Sequence, residues 1–232
     1  MRIRWHVNYE ASALKSATVT ASSKPARRKN GQIRLKALID ATDSLLSEYE
    51  VGEISLYQIS ERAGVPTASI YHFFPNKEAA LIELAGVYFG KIIESGRRPI
   101  EPPPATWQEL VAYRLRSAME FYNSNPSSMK LFLGATINAE VRRRDMASIV
   151  QIAEARAQLM DRYFEMPHVP DWIAKISNSV ALNDGIWALA YSQYRCVTME
   201  ALEEGTRATT AYLRCFLPEF IARRQVPEQA ES

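Results

Sequence analysis

The chain has few of the residues on which disulfide, metal or hydrolytic chemistry depends. It contains two cysteines, Cys196 and Cys215, and three histidines in 232 residues. Both cysteines have apolar neighbours and neither has metal-ligand spacing, so we expect buried reduced thiols, with a redox switch as the alternative. The sequence shows no Gly-rich phosphate loop, no Ser-His-Asp spacing and no metal-ligand cluster. We therefore expect no enzyme, no cofactor and no metal, and we interpret His168, in MPHVP, as a loop residue.

Long apolar runs are also missing. No stretch reaches the roughly eighteen apolar residues that indicate a membrane-spanning helix, so no membrane partner is expected. The first residues, MRIRWHVNYEASALKS, lack the uninterrupted apolar core of a secretory signal. We expect a cytoplasmic protein. Because 47% of the residues are hydrophobic, the chain can pack a core in one or two domains.

Positive charge is concentrated at the N-terminal end. Residues 1–36 contain nine Lys and Arg and one acid, a net charge of +8, so the rest of the chain carries −6. This asymmetry is typical of a protein that meets a polyanion with one end. A solvated tail that aids solubility is the alternative, and charge alone does not separate the two. Residues 1–30 are rich in Ser, Thr and Ala, and we interpret them as a flexible basic arm.

From Ile33 onwards, apolar residues recur at spacings of three and four, and no stretch alternates convincingly like a strand. The sequence therefore predicts an all-α fold. The first helix would end near Gly52, the linker GRRPIEPPPAT would separate two domains, and Asp145 would open a helix of the C-terminal region. Two long helices are expected at the end of the chain, over about 171–196 and 198–222.

The segment SLYQISERAGVPTASIYHFFPNK, from Ser55 to Lys77, is the most informative. Ser55 and Gln58 have the spacing of a capping box at the start of a short helix. That helix would end at Ala63-Gly64-Val65, where Gly64 can adopt a positive φ. Pro66 suits the first turn of a second short helix that runs to about Phe74. Two short helices joined by a tight turn predict a helix-turn-helix with the second helix as the reader, and an ordinary helical corner is the alternative.

The reader helix would present short or polar-tipped side chains to duplex DNA. Hydroxyl and methyl groups on Thr67, Ala68 and Ser69 suit base edges in the major groove. Tyr71 and His72 can donate hydrogen bonds to phosphate oxygens. Further phosphate contacts at the starts of the neighbouring helices are expected from Ser55, Tyr57 and Lys77.

The segment from Ile33 to Leu81 resembles the DNA-binding domain of the TetR family of repressors. The resemblance rests on Ala63-Gly64-Val65, on Ile70-Tyr71-His72-Phe73-Phe74-Pro75-Asn76-Lys77-Glu78 and on Leu81. It implies that Ser55 and Lys77 contact phosphate, that Thr67 to Ser69 lie in the major groove, and that Tyr71 and His72 contact the backbone and thymine methyls. It also implies that Arg27, Arg28 and Lys29 reach the DNA backbone or minor groove.

Two residues depart from the family pattern. Pro66 stands where the family often has Ser or another polar residue, and Phe73 stands where it usually has His or Tyr. Each departure removes one polar group that could contact phosphate. The segment before the first helix is also longer than is usual for such proteins.

The resemblance divides the chain into an arm (1–30), a three-helix DNA-binding domain (31–80), a helical ligand-binding and dimerisation domain (81–225) and a tail (226–232). It implies a homodimer that pairs through the helices expected at 171–196 and 198–222. An isologous dimer would also suit an operator with two half-sites. Small residues in both helices, including Gly185 and Gly205, would permit close helix approach.

The ligand pocket has no motif of its own. Aromatic side chains at helical spacing belong either to a pocket or to plain core, and Asn183-Asp184 interrupts an otherwise apolar helix. Asp184 is a ligand-orienting group, the partner of an arginine, or exposed at the dimer edge. The candidate ligand residues are Trp107, Tyr122, Phe132, Phe164, Asn183, Asp184 and Trp187.

The sequence thus predicts a DNA-binding transcriptional regulator. The leading hypothesis is a repressor released from a palindromic operator by a small, largely apolar or aromatic effector. The alternative is a DNA-binding regulator or nucleoid-type protein that responds to no small molecule.

Overall fold

The computed structural model describes residues 24–134 and 139–224, without the side chains of 24–28, 139–142, 144 and 145. These residues form an all-helical fold, as expected. Their α-helices are α1 (Lys24–Glu48), α2 (Leu56–Arg62), α3 (Thr67–Ile70), α4 (Lys77–Arg97), α5 (Trp107–Ser124), α6 (Pro126–Phe132), α7 (Ala139–Tyr163), α8 (Trp172–Tyr194) and α9 (Met199–Arg214). Between Phe164 and Arg223 there is an isolated β-bridge.

Helices α1, α2 and α3 form a small unit around one apolar core. Leu38 and Leu46 of α1, Ile59 of α2 and Ile70 of α3 are completely buried, and Phe74 is 1% exposed. A single turn of 3₁₀ helix, Val51–Glu53, joins α1 to α2. Burial of about five large apolar side chains is enough to fix how these short helices cross, since each contributes roughly 1.5–3 kcal/mol.

Helix α4 begins in this unit and ends in the C-terminal one, because it runs without a break across the boundary expected at residue 80. It packs against α1 at one end and against α7 over much of its length. Helices α5, α6, α7, α8 and α9 complete the C-terminal unit, in which α8 and α9 pack extensively on each other. Large buried side chains at its centre include Trp107, Phe164 and Trp187.

The first helix starts earlier than the sequence pattern indicated. The expected arm of residues 1–30 ends within α1, which begins at Lys24. Pro25 fits a first helical turn, Ala, Arg and Lys are strong helix formers, and a single glycine, Gly31, is tolerated in a helix interior. Residues 1–23 and the expected tail, 226–232, lie outside the described residues.

The predictions of three other helix ends were also wrong. Helix α9 ends at Arg214 and not near residue 222, because Pro218 disfavours helical backbone in the residue before it. Helix α7 is already formed at Ala139, before Asp145, because the intervening Ala, Glu and Arg residues favour helix. Gly52 lies in the 3₁₀ turn and does not cap α1, which ends at Glu48.

The two thiols also differ from the expectation of burial. Cys215 is exposed at the end of α9, and Cys196 is partly buried. Neither forms a disulfide. Separately, within residues 24–134 and 139–224 no helix is long and apolar enough to cross a membrane.

Candidate functional site

Local hydrogen bonds fix the corner between α2 and α3. The predicted capping box is confirmed: the Ser55 hydroxyl accepts from the Gln58 backbone N–H at 3.3 Å, and the Gln58 side-chain oxygen accepts from the Ser55 N–H at 2.8 Å. Gly64 has φ +63°, as expected for the turn. Across the turn, the hydroxyls of Ser60 and Thr67 lie 3.2 Å apart and join α2 to the first residue of α3. The result is a tight corner with a preset crossing of the two helices.

The reader helix is shorter than predicted. It is α-helical only from Thr67 to Ile70, and Pro66 lies just before it at the N-cap position. The chain then tightens, since His72 N–H donates to the Ser69 carbonyl and Phe73 N–H to the Ile70 carbonyl. Pro75 disfavours helical backbone at Phe74, which explains why the α-helix does not continue. Thr67–Phe74, which we call the reader segment, is thus one α-helical turn followed by a hydrogen-bonded turn.

The reader segment has a buried side and an open side. Ile70 and Phe74 face the core, while Thr67, Ala68, Tyr71 and His72 are exposed and Ser69 is partly exposed. Tyr71 is 59% exposed, and Tyr57, at the start of α2, is 61% exposed. Ser55 is also exposed. The side chains expected at the DNA therefore form an open surface that the core beneath holds in place.

The basic residues expected to contact phosphates differ from one another in their surroundings. Lys77 is the first residue of α4, but its ammonium donates at 2.9 Å to the carbonyl of Val51 in the 3₁₀ turn. Lys29 is exposed on α1. The backbone of Arg27 and Arg28 belongs to α1, and their side chains lie outside the described residues. Lys77 therefore braces the domain with one of its three N–H groups.

An ion pair that the sequence did not indicate braces α2 against α1. The two guanidinium nitrogens of Arg62 lie 2.7 and 2.9 Å from the carboxylate oxygens of Glu48, and Arg62 also donates to Ser44. These hydrogen bonds lower the pKa of Glu48. A bidentate pair fixes orientation as well as distance. Glu48 is the last residue of α1 and Arg62 the last of α2, so no spacing within one helix indicated this contact.

Polar contacts also tie α1 to the C-terminal unit. The Tyr88 hydroxyl of α4 donates at 2.6 Å to the Asp43 carboxylate, and Ser127 of α6 donates at 2.9 Å to the Asp43 carbonyl. Burial and this carboxylate raise the pKa of Tyr88 far above its usual range. Lys130 of α6 donates to the Tyr49 carbonyl at the end of α1. Helices α4 and α6 therefore hold α1 from two sides.

Three adjoining cavities lie in the C-terminal unit, and Arg156 of α7 lines all of them. The first, about 60 Å³, also touches the C-terminal half of α4. The second, about 30 Å³, lies between α5, α7, α8 and α9. The third, about 40 Å³, is bounded by Phe121, Asn183, Asp184 and Trp187 among others. We call the three together the Arg156 cavities.

Buried polar groups border these cavities. Burial lowers the pKa of the Arg156 guanidinium, and the charge of Asp184 acts in the opposite sense. This supports the interpretation of Asp184 as the partner of an arginine. Arg114 of α5 donates to the carbonyls of Ser95 and Arg98 at the end of α4, but its Nε–H is buried without a partner. The buried Thr209 hydroxyl also has none.

Asn183 lies where α8 and α9 come closest. Its Oδ1 is buried without a hydrogen-bond partner. A Cβ at Gly205 of α9 would lie 2.3 Å from that oxygen and 3.1 Å from Nε1 of Trp187. The predicted close approach at Gly205 thus occurs between two helices of the same chain.

The candidate ligand residues separate into two groups. Tyr122, Asn183, Asp184 and Trp187 line the third cavity. The other three lie outside the lining of the Arg156 cavities and pack in the core: Trp107, Phe132 and Phe164. Trp107 additionally donates its indole N–H to the Pro218 carbonyl, which closes the chain beyond α9 over α5.

Sequence reasoning missed Arg114 and Arg156. The signal was available, because Arg156 occupies an apolar stripe formed by Ile149, Ile152 and Met160 at spacings of three and four. A charged residue on such a stripe must be buried with a partner or border a polar space. No equivalent local signal shows which helices meet around it.

The comparisons with known proteins agree with this arrangement. Residues 38–84 match the model of the bacterial regulatory proteins of the tetR family. The chain is 24% identical over 170 residues to the HTH-type transcriptional regulator EthR of Mycolicibacterium smegmatis, covering 72% of this chain and 78% of that one. It is 26% identical over 131 residues to the HTH-type transcriptional repressor KstR of Rhodococcus jostii, covering 56% of this chain and 58% of that one.

A solved structure extends the likeness to the C-terminal unit. Thermus thermophilus FadR, a TetR-family transcriptional repressor in complex with lauroyl-CoA, superposes with a TM-score of 0.59. The alignment covers 85% of this chain and all of that one at 16% identity, and so shows a shared fold. Residues 38–84 thus form a DNA-binding domain of the tetR type. The chain is accordingly a transcriptional regulator with a helix-turn-helix DNA-binding domain.

Within this TetR-family domain, the structure accounts for one of the two departures in the reader. Phe73 is partly buried and packs against the core instead of facing outward. The other departure, Pro66, is exposed and leaves the N-terminus of α3 without a side-chain cap. Neither position therefore offers the polar side chain that the family pattern would place near Tyr71 and His72.

Proposed function

We propose that this TetR-family regulator is a repressor that a small apolar molecule releases from a palindromic operator. The observation that carries the proposal is the course of α4. This helix begins at Lys77, next to the reader segment, and its last turns, at Ile92, Ile93 and Gly96, border the first of the Arg156 cavities. One uninterrupted helix therefore connects the DNA-facing surface with the space available to a ligand.

A ligand changes DNA binding only if it binds the two states of the protein with different affinities. Helix α4 is suited to transmit such a difference. Tyr88 ties it to Asp43 of α1 beneath the DNA-binding unit, and Arg114 holds its C-terminal carbonyls beside the cavity. A ligand that displaces the end of α4 would shift α1 and thereby change the separation of the two reader segments in a dimer.

A homodimer through α8 and α9 is part of the proposal. The open face of α8 carries Leu182, Gly185 and Leu189 at alternating spacings of three and four, and Leu189 is 68% exposed. That spacing is typical of a seam between packed helices. Tyr194 and Met199, at the junction of α8 and α9, are 62% and 48% exposed. A second copy of the chain on this face would cover all of these residues.

The base-facing residues proposed are Thr67, Ala68 and Ser69, with phosphate contacts from Ser55, Tyr57, Tyr71, His72 and Lys77. Exposure of most of this set supports it, and the second and third N–H groups of Lys77 remain for a phosphate. We also propose that the basic segment around Arg27, Arg28 and Lys29 binds the DNA backbone. Deleting residues 1–30 would then weaken binding to all DNA and lower the slope of affinity against salt, whereas an unchanged slope would make the segment a passive tail.

The operator provides the test. Full-length protein is used to select fragments from a random duplex DNA pool, and the enriched fragments are sequenced and footprinted. The proposal expects an inverted repeat with half-sites one or more helical turns apart. Enrichment of no palindrome, with only salt-sensitive binding to any sequence, would favour a nucleoid-type protein instead. We also propose that the protein acts in the cytoplasm, because that is where a bacterial regulator meets its operator.

A further inference from the structure

The charges around the Arg156 cavities do not balance. Within the part of the chain that the structure describes, the charged residues lining the three cavities are Arg114, Arg156 and Asp184. Two guanidinium groups thus accompany one carboxylate in a space whose other walls are mostly apolar. A positive charge held in apolar surroundings is costly unless an anion accompanies it. The cavities are therefore electrostatically suited to a ligand with one negative charge.

The position of the two arginines shows where that charge would be received. Arg114 and Arg156 border both the first and the second cavity. Two of the Arg114 nitrogens bind the end of α4, and the remaining Nε–H is buried without a partner. An N–H donor of a guanidinium is matched best by an oxygen of a carboxylate. Its hydrogen bond is thus available to a carboxylate that also meets Arg156.

The rest of the lining determines the body of the ligand. Leu110, Leu159, Ile176 and Leu213 surround the second cavity, where Thr209 adds one buried hydroxyl. Phe121 and Ile152 contribute to both of the other cavities. Surfaces of this kind bind hydrocarbon, either a flexible chain or an aromatic ring.

From these observations we infer that the ligand is a carboxylate with an apolar body, its carboxylate received by Arg156 and by the Nε–H of Arg114. This inference rests on the proposed function, because it names the ligand class of the same site. It also identifies the contact through which the ligand would act on α4. A carboxylate that draws the Arg114 guanidinium towards Arg156 would pull its other two nitrogens away from the carbonyls of Ser95 and Arg98, and so loosen the end of α4.

The experiment compares ligands that differ only in the head group. Decanoate, decan-1-ol and decylamine are titrated into the full-length protein by calorimetry, and phenylbutyrate is added as an aromatic carboxylate. Decanoate or phenylbutyrate is expected to bind at least about tenfold more tightly than decan-1-ol, and decylamine to bind weakest. Whichever carboxylate binds more tightly tells whether the natural body is an aliphatic chain or an aromatic ring.

Three variants locate the head group. Arg114→Gln is expected to abolish most of the preference for decanoate over decan-1-ol, measured as the ratio of the two dissociation constants within the same variant. Arg114→Lys keeps the charge and should retain part of the preference. Arg116→Gln, an exposed arginine two residues along α5, is the matched control and should bind like the wild type.

The inference is overturned if neither carboxylate binds, if decan-1-ol binds as tightly as decanoate, or if Arg114→Gln keeps the full preference. The failure of the proposed function has a different signature. If decan-1-ol binds and releases the operator and decanoate does neither, the ligand class is wrong and the repressor stands. If no palindrome is selected, the repressor fails whatever the cavities bind.

Discussion

The two halves of the molecule differ in whether their buried polar side chains find hydrogen-bond partners. In the described part of the DNA-binding half, the buried Thr42 and Ser60 hydroxyls both find backbone carbonyls within their own helices. Among the described residues of the C-terminal half, five buried side-chain atoms have no hydrogen-bond partner. Three of them belong to Arg114, Asn183 and Thr209, which line the Arg156 cavities.

The proposed roles of the two halves would account for this difference. A reader must hold a fixed shape, so its polar groups either complete the fold or face outward, and its core is apolar. A ligand-binding half must exchange internal contacts for contacts with a ligand, so we expect it to keep polar groups at its centre at a cost of roughly 1–3 kcal/mol for each unsatisfied group.

The largest expected effect is a loss of operator affinity caused by a substitution in the C-terminal half. Leu189→Glu places a charge in the proposed seam of α8 and should yield a monomer by light scattering. Loss of the second reader would weaken operator binding by a factor of about 10²–10⁴. Glu120→Gln, an exposed change on α5 outside the proposed interface, is the control. A Leu189→Glu variant that stays dimeric would place the interface elsewhere.

A core substitution tests the rigidity of the reader half. Ile70→Ala removes a completely buried side chain of α3 and should lower the free energy of unfolding of the DNA-binding unit by about 2–5 kcal/mol. Urea denaturation followed by circular dichroism measures this loss, and decanoate binding in the C-terminal half should persist. Ile33→Ala, at a residue that is 59% exposed, should change stability by less than about 0.5 kcal/mol. Equal losses in the two variants would contradict the assigned core.

A surface substitution tests the same segment from its other side. Tyr71→Ala should cut operator affinity by about 1–3 kcal/mol and leave the dimer and its stability intact. Fluorescence anisotropy with labelled operator gives the affinity. Tyr113→Ala removes an exposed tyrosine of α5 in the other half and should bind DNA normally. Unchanged binding by Tyr71→Ala would count against the reader assignment.

A pair of glycine substitutions gives the smallest effect, with opposite signs. Gly205→Ala crowds Asn183 and Trp187 in the C-terminal half and should destabilise the protein by about 1–3 kcal/mol. Gly86→Ala, on an exposed position of α4 with open space around it, should stabilise it by about 0.5–1 kcal/mol. Thermal unfolding of both variants provides the comparison. A stable Gly205→Ala protein would show that α8 and α9 are less closely packed.

The two halves also differ in how much the sequence could reveal. Ser55, Gln58 and Gly64 act on backbone within a few residues of themselves, so their roles could be predicted. The all-α class and the course of α8 followed from periodicity in the same way. The end of α9 was predictable too, because Pro218 is visible in the sequence, but the apolar residues beyond Arg214 outweighed it in the pattern.

The Arg156 cavities could not be predicted because they depend on contacts between distant segments. Arg114 and Arg156 are separated by an entire helix. They border the same cavities because α7 packs on α4 and α8, while α5 packs on α9. The same limit explains the aromatic candidates: Trp107 and Trp187 are both buried, yet of these two only Trp187 borders one of the three cavities. A stripe of aromatic residues identifies a buried face without indicating whether space lies beside it.

The central claim is that binding in the Arg156 cavities and binding of DNA are coupled. The most direct test is the dissociation constant of the selected operator, measured by anisotropy at fixed salt without decanoate and with saturating decanoate. We predict that decanoate weakens operator binding by a factor of about 5–150, and that operator weakens decanoate binding by the same factor. Decanoate that binds in the cavities and leaves the operator dissociation constant unchanged would contradict the account.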